Sequence, residues 1–261
     1  MIFVPLCSGS SGNCSYVEAD GVRFLIDAGM SAKRITELLE DIDVPVESIR
    51  AILVTHEHSD HVSGVGVLAK KYGIPVFANT ECFSAMPASL LEKIPASCIR
   101  IFDTDQDFFL SGVRIYPFHV PHDAANTVGY CIFAEGCKVT VITDVGRMDD
   151  RLISIAGESD LLLLEANHDV DMLLAGGYPY PLKQRILSPH GHLCNEDCGR
   201  ALVKLHDRGV RNVVLAHLSR DNNTPELCRV TIESTLQAEG ITDMRIAIAK
   251  RDGPTGIFRI S

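Results

Sequence analysis

The stretch Ala51-Ile52-Leu53-Val54-Thr55-His56-Glu57-His58-Ser59-Asp60-His61 constrains the chain more than any other. An apolar segment suited to a buried strand runs directly into four side chains that can ligate a metal. In an extended segment alternate residues share a face, so His56 and His58 can converge on one ion. A helix or turn beginning at this point would let Asp60 and His61 turn toward a second ion. Neutral imidazole and carboxylate oxygen suit Zn²⁺, Mn²⁺ or Fe. A histidine-rich polar loop is the alternative, and packing alone explains four such side chains poorly.

A chain of 261 residues with 46% apolar content can bury a substantial core, and it is expected to form a single domain over 1–261. Its net charge of −10 argues against a protein that coats nucleic acid. A polyanionic substrate would need a local basic patch or bound cations. The start lacks a signal-peptide pattern, and no apolar run approaches the roughly 20 residues of a membrane span. The nine cysteines include no Cys-x-x-Cys pair. They read as small buried hydrophobes in a reducing cytosol, so a cytoplasmic protein with no membrane contact is expected.

Strands rich in β-branched and aromatic residues are expected at 15–19, 23–27, 51–55, 75–79, 113–118, 128–134 and 138–143. Others are expected at 161–165, 213–216, 245–249 and 256–260. Ser31 can cap a helix with Ile35, Leu38, Leu39 and Ile42 on one side. A second helix should run from about Ser63 to a stop at Tyr72-Gly73. Asn195 is expected to cap a helix over 195–208, and Thr224-Pro225-Glu226 to start one over 224–239. Both halves thus mix strands and helices. Two mixed sheets packed face to face with helices outside is one compact solution.

The order of motifs resembles the metallo-β-lactamase superfamily. His56-x-His58-x-Asp60-His61 after its apolar strand is similar to the family signature. Phe24-Leu25-Ile26-Asp27-Ala28-Gly29, Val120-Pro121-His122-Asp123, Val141-Ile142-Thr143-Asp144-Val145-Gly146 and Leu215-Ala216-His217-Leu218 resemble the family's other motifs in order. The resemblance implies an α/β (α+β) fold, a four-layer αββα sandwich, holding two divalent metal ions (Zn, Mn or Fe). Metal one would take His56, His58 and His122. Metal two would take Asp60, His61 and His217, with Asp144 bridging. Asp27 would orient a ligand histidine through a hydrogen bond. His119 is also near the third motif, but only His122 matches it, and His119 reads as a core or supporting histidine.

Asp144 argues against a true β-lactamase, since those relatives usually lack it. The 144–217 interval is too short for a β-CASP insertion, no flavin domain follows, and no long arm like that of ribonuclease Z is evident. The segments 6–14, 164–169, 191–195 and 217–223 resemble the YycJ group, also called WalJ. That resemblance implies cleavage of phosphodiester bonds through a metal-bridging hydroxide, as a 5′-to-3′ exonuclease on DNA or RNA. Nucleic acid would then be the partner. An acyl hydrolase on a thioester or lactone is the alternative, favoured by the acidic charge and disfavoured by the lack of a thiol-cofactor tail. A metal-binding scaffold without turnover is a third reading.

Asp60, Asp144 and His192 are the residues expected at the chemical step. His192 is the candidate acid or oxyanion stabiliser, with a structural role as its alternative. His168 follows an apolar strand and could reach the same rim or support the site. His190 and His206 read as ordinary histidines. Cys194 stands where the group has serine, which leaves the local cap or phosphate contact open. The loop 8–13 either lends N–H groups to a phosphate or forms a tight turn. Lys183 and Arg185 either bind a nucleic-acid backbone or are a solvated pair. Residues 176–181 read as a rim loop.

Overall fold

A computed structural model describes residues 1–261. It contains two compact units: one of residues 1–119, 124–137 and 249–261, the other of 120–123 and 138–248. No helix is long and apolar enough to cross a membrane.

The first unit begins with strands β1 (Ile2–Cys7), β2 (Cys14–Ala19) and β3 (Val22–Ile26). Helix α1 (Ala32–Glu40) leads to β4 (Ala51–Leu53), α2 (Ser59–Val62), α3 (Val65–Tyr72) and β5 (Val76–Ala78). Helices α4 (Thr80–Ala85) and α5 (Ala88–Leu91) precede β6 (Ile99–Ile101). These strands, with the last strand β14 (Phe258–Arg259), form a mixed sheet in the order β14-β1-β2-β3-β4-β5-β6. It is antiparallel from β14 to β3 and parallel from β3 to β6. Strands β7 (Phe108–Leu110), β8 (Val113–His119) and β9 (Val128–Ala134) make an antiparallel run. Helix α1 buries Ile35, Leu38 and Leu39 completely, and Ser31 Oγ caps it by accepting from Arg34 N at 3.2 Å. Full burial of each such side chain contributes about 1.5–3 kcal/mol.

The second unit contains β10 (Cys137–Ile142), α6 (Asp150–Ala156), β11 (Leu161–Glu165), α7 (Val170–Ala175) and α8 (Tyr180–Ile186). Then come α9 (Asn195–His206), β12 (Asn212–Ala216), α10 (Pro225–Ala238) and β13 (Arg245–Ile248). Its strands pair in parallel in the order β10-β11-β12-β13. Ile142 lies opposite Leu164, and Glu165 opposite Ala216. The carboxyl ends of β10, β11 and β12 therefore share one edge, the position from which parallel sheets present their functional loops. In the first unit Ile26 pairs with Leu53, so Asp27 and the histidine cluster likewise leave one edge together.

Several expected boundaries move for identifiable reasons. The strand at 51–55 stops at Leu53, because Thr55 N donates to the Asp27 side chain instead of a neighbouring strand. The strand at 75–79 stops at Ala78, because Asn79 caps α4 by accepting from Cys82 N at 2.8 Å. The five helices α4 to α8 went unforeseen; four to seven residues are too few for helical periodicity to register. Residues 176–181, read as a rim loop, run into α8. The helix stop at Gly73 is as expected, with φ +67.

The cap of α9 is not Asn195. Cys194 caps it, its Sγ accepting from Asp197 N at 3.4 Å. Asn195 is fully buried and instead exchanges side-chain hydrogen bonds with Asn223 at 2.9 and 3.1 Å. Thiol sulfur is a weaker acceptor than hydroxyl oxygen. Cys194→Ser should therefore stabilise the protein by about 0.5–1 kcal/mol, a rise of about 2 °C in the unfolding midpoint. Thermal unfolding checks this, and a lowered midpoint would count against the cap assignment. All nine cysteines are buried and free, in keeping with their reading as small hydrophobes.

Candidate metal centre

In the first unit, the buried Asp27 carboxylate organises the histidine cluster. Its Oδ1 accepts from Thr55 N at 2.8 Å, and its Oδ2 accepts from the Thr55 hydroxyl at 2.9 Å and from His61 Nδ1 at 2.7 Å. With its proton committed to Asp27, Thr55 Oγ1 accepts from His56 Nδ1 at 3.0 Å. His56 and His61 are fully buried, while His58 and Asp60 are partly exposed. The His56 ring centroid lies 4.7 Å from that of His58 and 4.1 Å from that of His61. The start of α2 turns Asp60 and His61 away from the extended segment, as the cluster's spacing suggested.

The serine-glycine loop proves to be a turn. Gly12 N donates to Gly9 O at 2.9 Å, Gly9 N to Asn13 Oδ1 at 2.9 Å, and Asn13 N to Asp60 O at 2.8 Å. Those N–H groups serve the turn and the histidine loop. Asn13 Nδ2 also lies 3.0 Å from His61 Nε2. Gly29 packs face-on against Asp60: a Cβ there would stand 1.7 Å from Asp60 O.

In the second unit, Glu165 plays the corresponding part. Its Oε1 accepts from Nδ1 of both His192 (2.8 Å) and His217 (2.7 Å). Its Oε2 accepts from Val145 N at 2.9 Å and Leu193 N at 3.1 Å. Asp144 Oδ1 stands 3.4 Å from His217 Nδ1 and 3.9 Å from His122 Nε2. Ligand-capable atoms of Asp144, Glu165, His192 and His217 lie within 4.8 Å of one another. His122 Nδ1 donates to Gly191 O at 3.0 Å, and Asn167 Nδ2 donates to His217 O at 2.9 Å.

Asp27, Asp144 and His217 each follow a parallel strand and each adopt left-handed backbone, with φ of +61, +54 and +57. Such conformations are costly for residues other than glycine and cluster at functional sites. Here they turn the chain sharply off the sheet edge and aim the side chain across it.

The electrostatics divide the groups. Burial pushes the Glu165 carboxyl up, but the two histidines outweigh it and hold it well below the usual carboxylate range. Burial pulls His192 down, and the Glu165 carboxylate outweighs that and raises it. Burial lowers His122 despite Asp144. Burial raises Asp27, opposed by His61 and Thr55. Burial lowers His168 to about 4, so its ring is neutral near pH 7.

Some expected positions change. His168 is 1% exposed and lies inside the unit rather than on a rim, its carbonyl accepting from Asn195 N at 2.9 Å. His119 is exposed, which excludes the core reading, and its Nδ1 lies 3.2 Å from Asn126 Oδ1. Lys183 Nζ donates to Leu174 O and Gly176 O at the end of α7. Arg185 is paired with Asp123. Among the described residues, Glu165, Asn13, Gly29 and Asn167 had been given no role. The signal for Glu165 was present, because a carboxylate closing the run Leu161–Leu164 must find partners when buried.

These donors suit a divalent metal. His56, His61, His122 and His217 each direct Nδ1 to a protein oxygen, which puts the ring lone pair on Nε2. A model of the β-lactamase superfamily domain matches residues 22–218. The chain belongs to this superfamily. A relative named exodeoxyribonuclease YycJ, from Bacillus anthracis, is 40% identical over 91% of this chain and 90% of its own. Another, named exodeoxyribonuclease WalJ, from Streptococcus pneumoniae, is 42% identical over 88% of this chain and 86% of its own. Within the superfamily the chain therefore falls in the YycJ/WalJ group. The metallo-β-lactamase fold protein YhfI from Bacillus subtilis superposes with a TM-score of 0.72 at 20% identity, covering 98% of both chains. The fold is thus the α/β metallo-β-lactamase fold.

Proposed function

We propose that the chain is a metal-dependent hydrolase that cleaves phosphodiester bonds in DNA or RNA, removing nucleotides from a 5′ end. The common tautomer of four histidines carries the metal reading. A neutral imidazole whose Nδ1 proton is held by an acceptor is the form that ligates through Nε2. By the order of family motifs, His56, His58 and His122 would hold one ion and Asp60, His61 and His217 a second, with Asp144 shared. The nitrogen and oxygen donor set suits Zn²⁺, Mn²⁺ or Fe²⁺. Divalent ions bound there would acidify a water nucleophile and neutralise phosphate oxygens.

The chain's own groups complete the chemistry. His192 is 21% exposed at its side chain, so a substrate can reach it. Glu165 accepts its Nδ1–H and favours the protonated ring, which can give a proton to the leaving oxygen. Asp27 and Glu165 fix the rings on which both binding and proton transfer depend. Unpaired cysteines throughout the chain agree with a reducing, cytoplasmic setting.

Incubation with 5′-labelled single- and double-stranded DNA and RNA, supplied with Mn²⁺ or Zn²⁺, tests the reading. The first labelled product should be a mononucleotide. No nucleotide release from any strand, together with turnover of acyl-glutathione, would replace this reading with an acyl hydrolase.

A further inference from the structure

An acidic protein that handles a polyanion needs cations placed for the task, and Lys183 and Arg185 are each partly engaged, by carbonyls of α7 and by Asp123. In the first unit, Val67, Lys70, Lys71 and Lys93 line a surface cavity of about 510 Å³. All four are exposed. Lys70 and Lys71 occupy the last turn of α3, where helix energetics alone favour cations. Lys93 comes from beyond α5, so that preference does not explain its presence. Gly66 brings it close: a Cβ there would stand 2.8 Å from Lys93 Cβ and 3.0 Å from Leu90 Cδ1. Only a residue without a side chain lets the Lys93 stem lie against α3.

The cavity follows the histidine loop in the chain. Ser63 and Gly64 join α2 to α3 with right-handed backbone, but the helical ladder breaks there, because Gly64 N donates to Ala28 O at 2.8 Å instead of to Asp60 O. Within α3, Val67 and Lys70 or Lys71 recur at steps of three or four, which places them on one face. Val62, Val65, Leu68 and Ala69 are buried on the other side. Ten residues of helical and turn backbone put Lys70 on the order of 15 Å from Asp60. Stacked nucleotides advance about 3.4 Å each, so this distance spans four to five nucleotides.

We propose that the lysine cavity holds the phosphate backbone of a nucleic-acid strand, about four to five nucleotides from the bond being cut. The inference rests on the phosphodiesterase reading above. Ammonium groups contact phosphates as point charges, and Val67 offers apolar surface to a sugar. Binding here carries no base specificity. It retains a long strand between successive cleavages and is out of reach of a dinucleotide.

The test compares the unaltered protein with K70Q/K71Q/K93Q and with a charge-matched control, K33Q/K204Q/K250Q. On a 12-nucleotide single strand, the cavity variant should raise KM at least tenfold with kcat within twofold. Its plot of log affinity against log salt should be shallower by about two. KM for a dinucleotide should change less than twofold, and the control should match the unaltered protein on both substrates. Equal KM and salt slope for the cavity variant and the control on the 12-mer would overturn the proposal. If the unaltered protein released no nucleotide, the activity reading would fail separately. Fluorescence anisotropy of a labelled 12-mer would then decide the cavity's role, with lysine-dependent binding supporting it and lysine-independent binding overturning it. Lysine-dependent binding to phosphatidylserine vesicles without strand binding would also overturn it.

Discussion

Glu165→Gln should lower kcat/KM at least a hundredfold while leaving the fold intact. Four donors converge on this carboxylate: the Nδ1–H groups of His192 and His217 and the N–H groups of Val145 and Leu193. A glutamine of the same size offers one oxygen and one NH₂, so donors would face donors. Each unsatisfied buried group costs about 1–3 kcal/mol, and the His217 and His192 rings are the groups able to turn away. The pH profile separates this role from simple destabilisation. Glu165 raises the His192 pKa, so the proton-donating form persists to higher pH than for an unassisted imidazole. Activity that needs protonated His192 is present below that pKa and lost as pH rises through it. In the variant the alkaline limb should move to lower pH. Activity within threefold of the unaltered protein, with an unmoved limb, would remove Glu165 from the account.

Gly29→Ala should damage the site without touching any ligand side chain. The added methyl would stand 1.7 Å from Asp60 O, 2.3 Å from Asp60 C and 2.7 Å from Asn13 N. All three are backbone atoms, so no rotamer change relieves the overlap. The chain at Asp60 must move, breaking its 2.8 Å bond from Asn13 N and shifting Asp60 and His61 together. Overpacking of this kind costs about 1–3 kcal/mol. A ligand shift near 1 Å costs about a hundredfold in rate. Gly21→Ala is the control: its φ is +75 but nothing lies within 4 Å of the new methyl. It should cost about 1 kcal/mol in stability and nothing in activity. Thermal unfolding and kcat/KM on one labelled strand check both variants. Equal activity of the two would show that the Gly29 contact does not govern the site.

The parts of the site visible in the sequence are those whose chemistry is contiguous. His56 to His61 declare themselves because four donors follow one apolar strand. Asp27 and Asp144 each end an apolar run that reads as a strand, whereas His217 was placed by its resemblance to a family motif. Their left-handed backbone was not legible, since neither aspartate nor histidine demands it as glycine would. Glu165 stood in plain view but gained a role only through His192 and His217, 27 and 52 residues away. Asn13 meets His61 across 48 residues of chain. The partners of Lys183 were not legible, because they are backbone carbonyls, which a sequence does not mark. The α9 cap shifted to Cys194 because Asn195 has a buried partner in Asn223, again distant in sequence.

The central claim is that these positioned histidines hold divalent ions for phosphodiester cleavage. Its most direct test is nucleotide release from a 5′-labelled 12-nucleotide strand by protein stripped with chelator and then resupplied with Mn²⁺ or Zn²⁺. The account predicts no release from the stripped protein and restored release that saturates near two ions per chain. Release unchanged by stripping, or none after resupply with either metal, would contradict it.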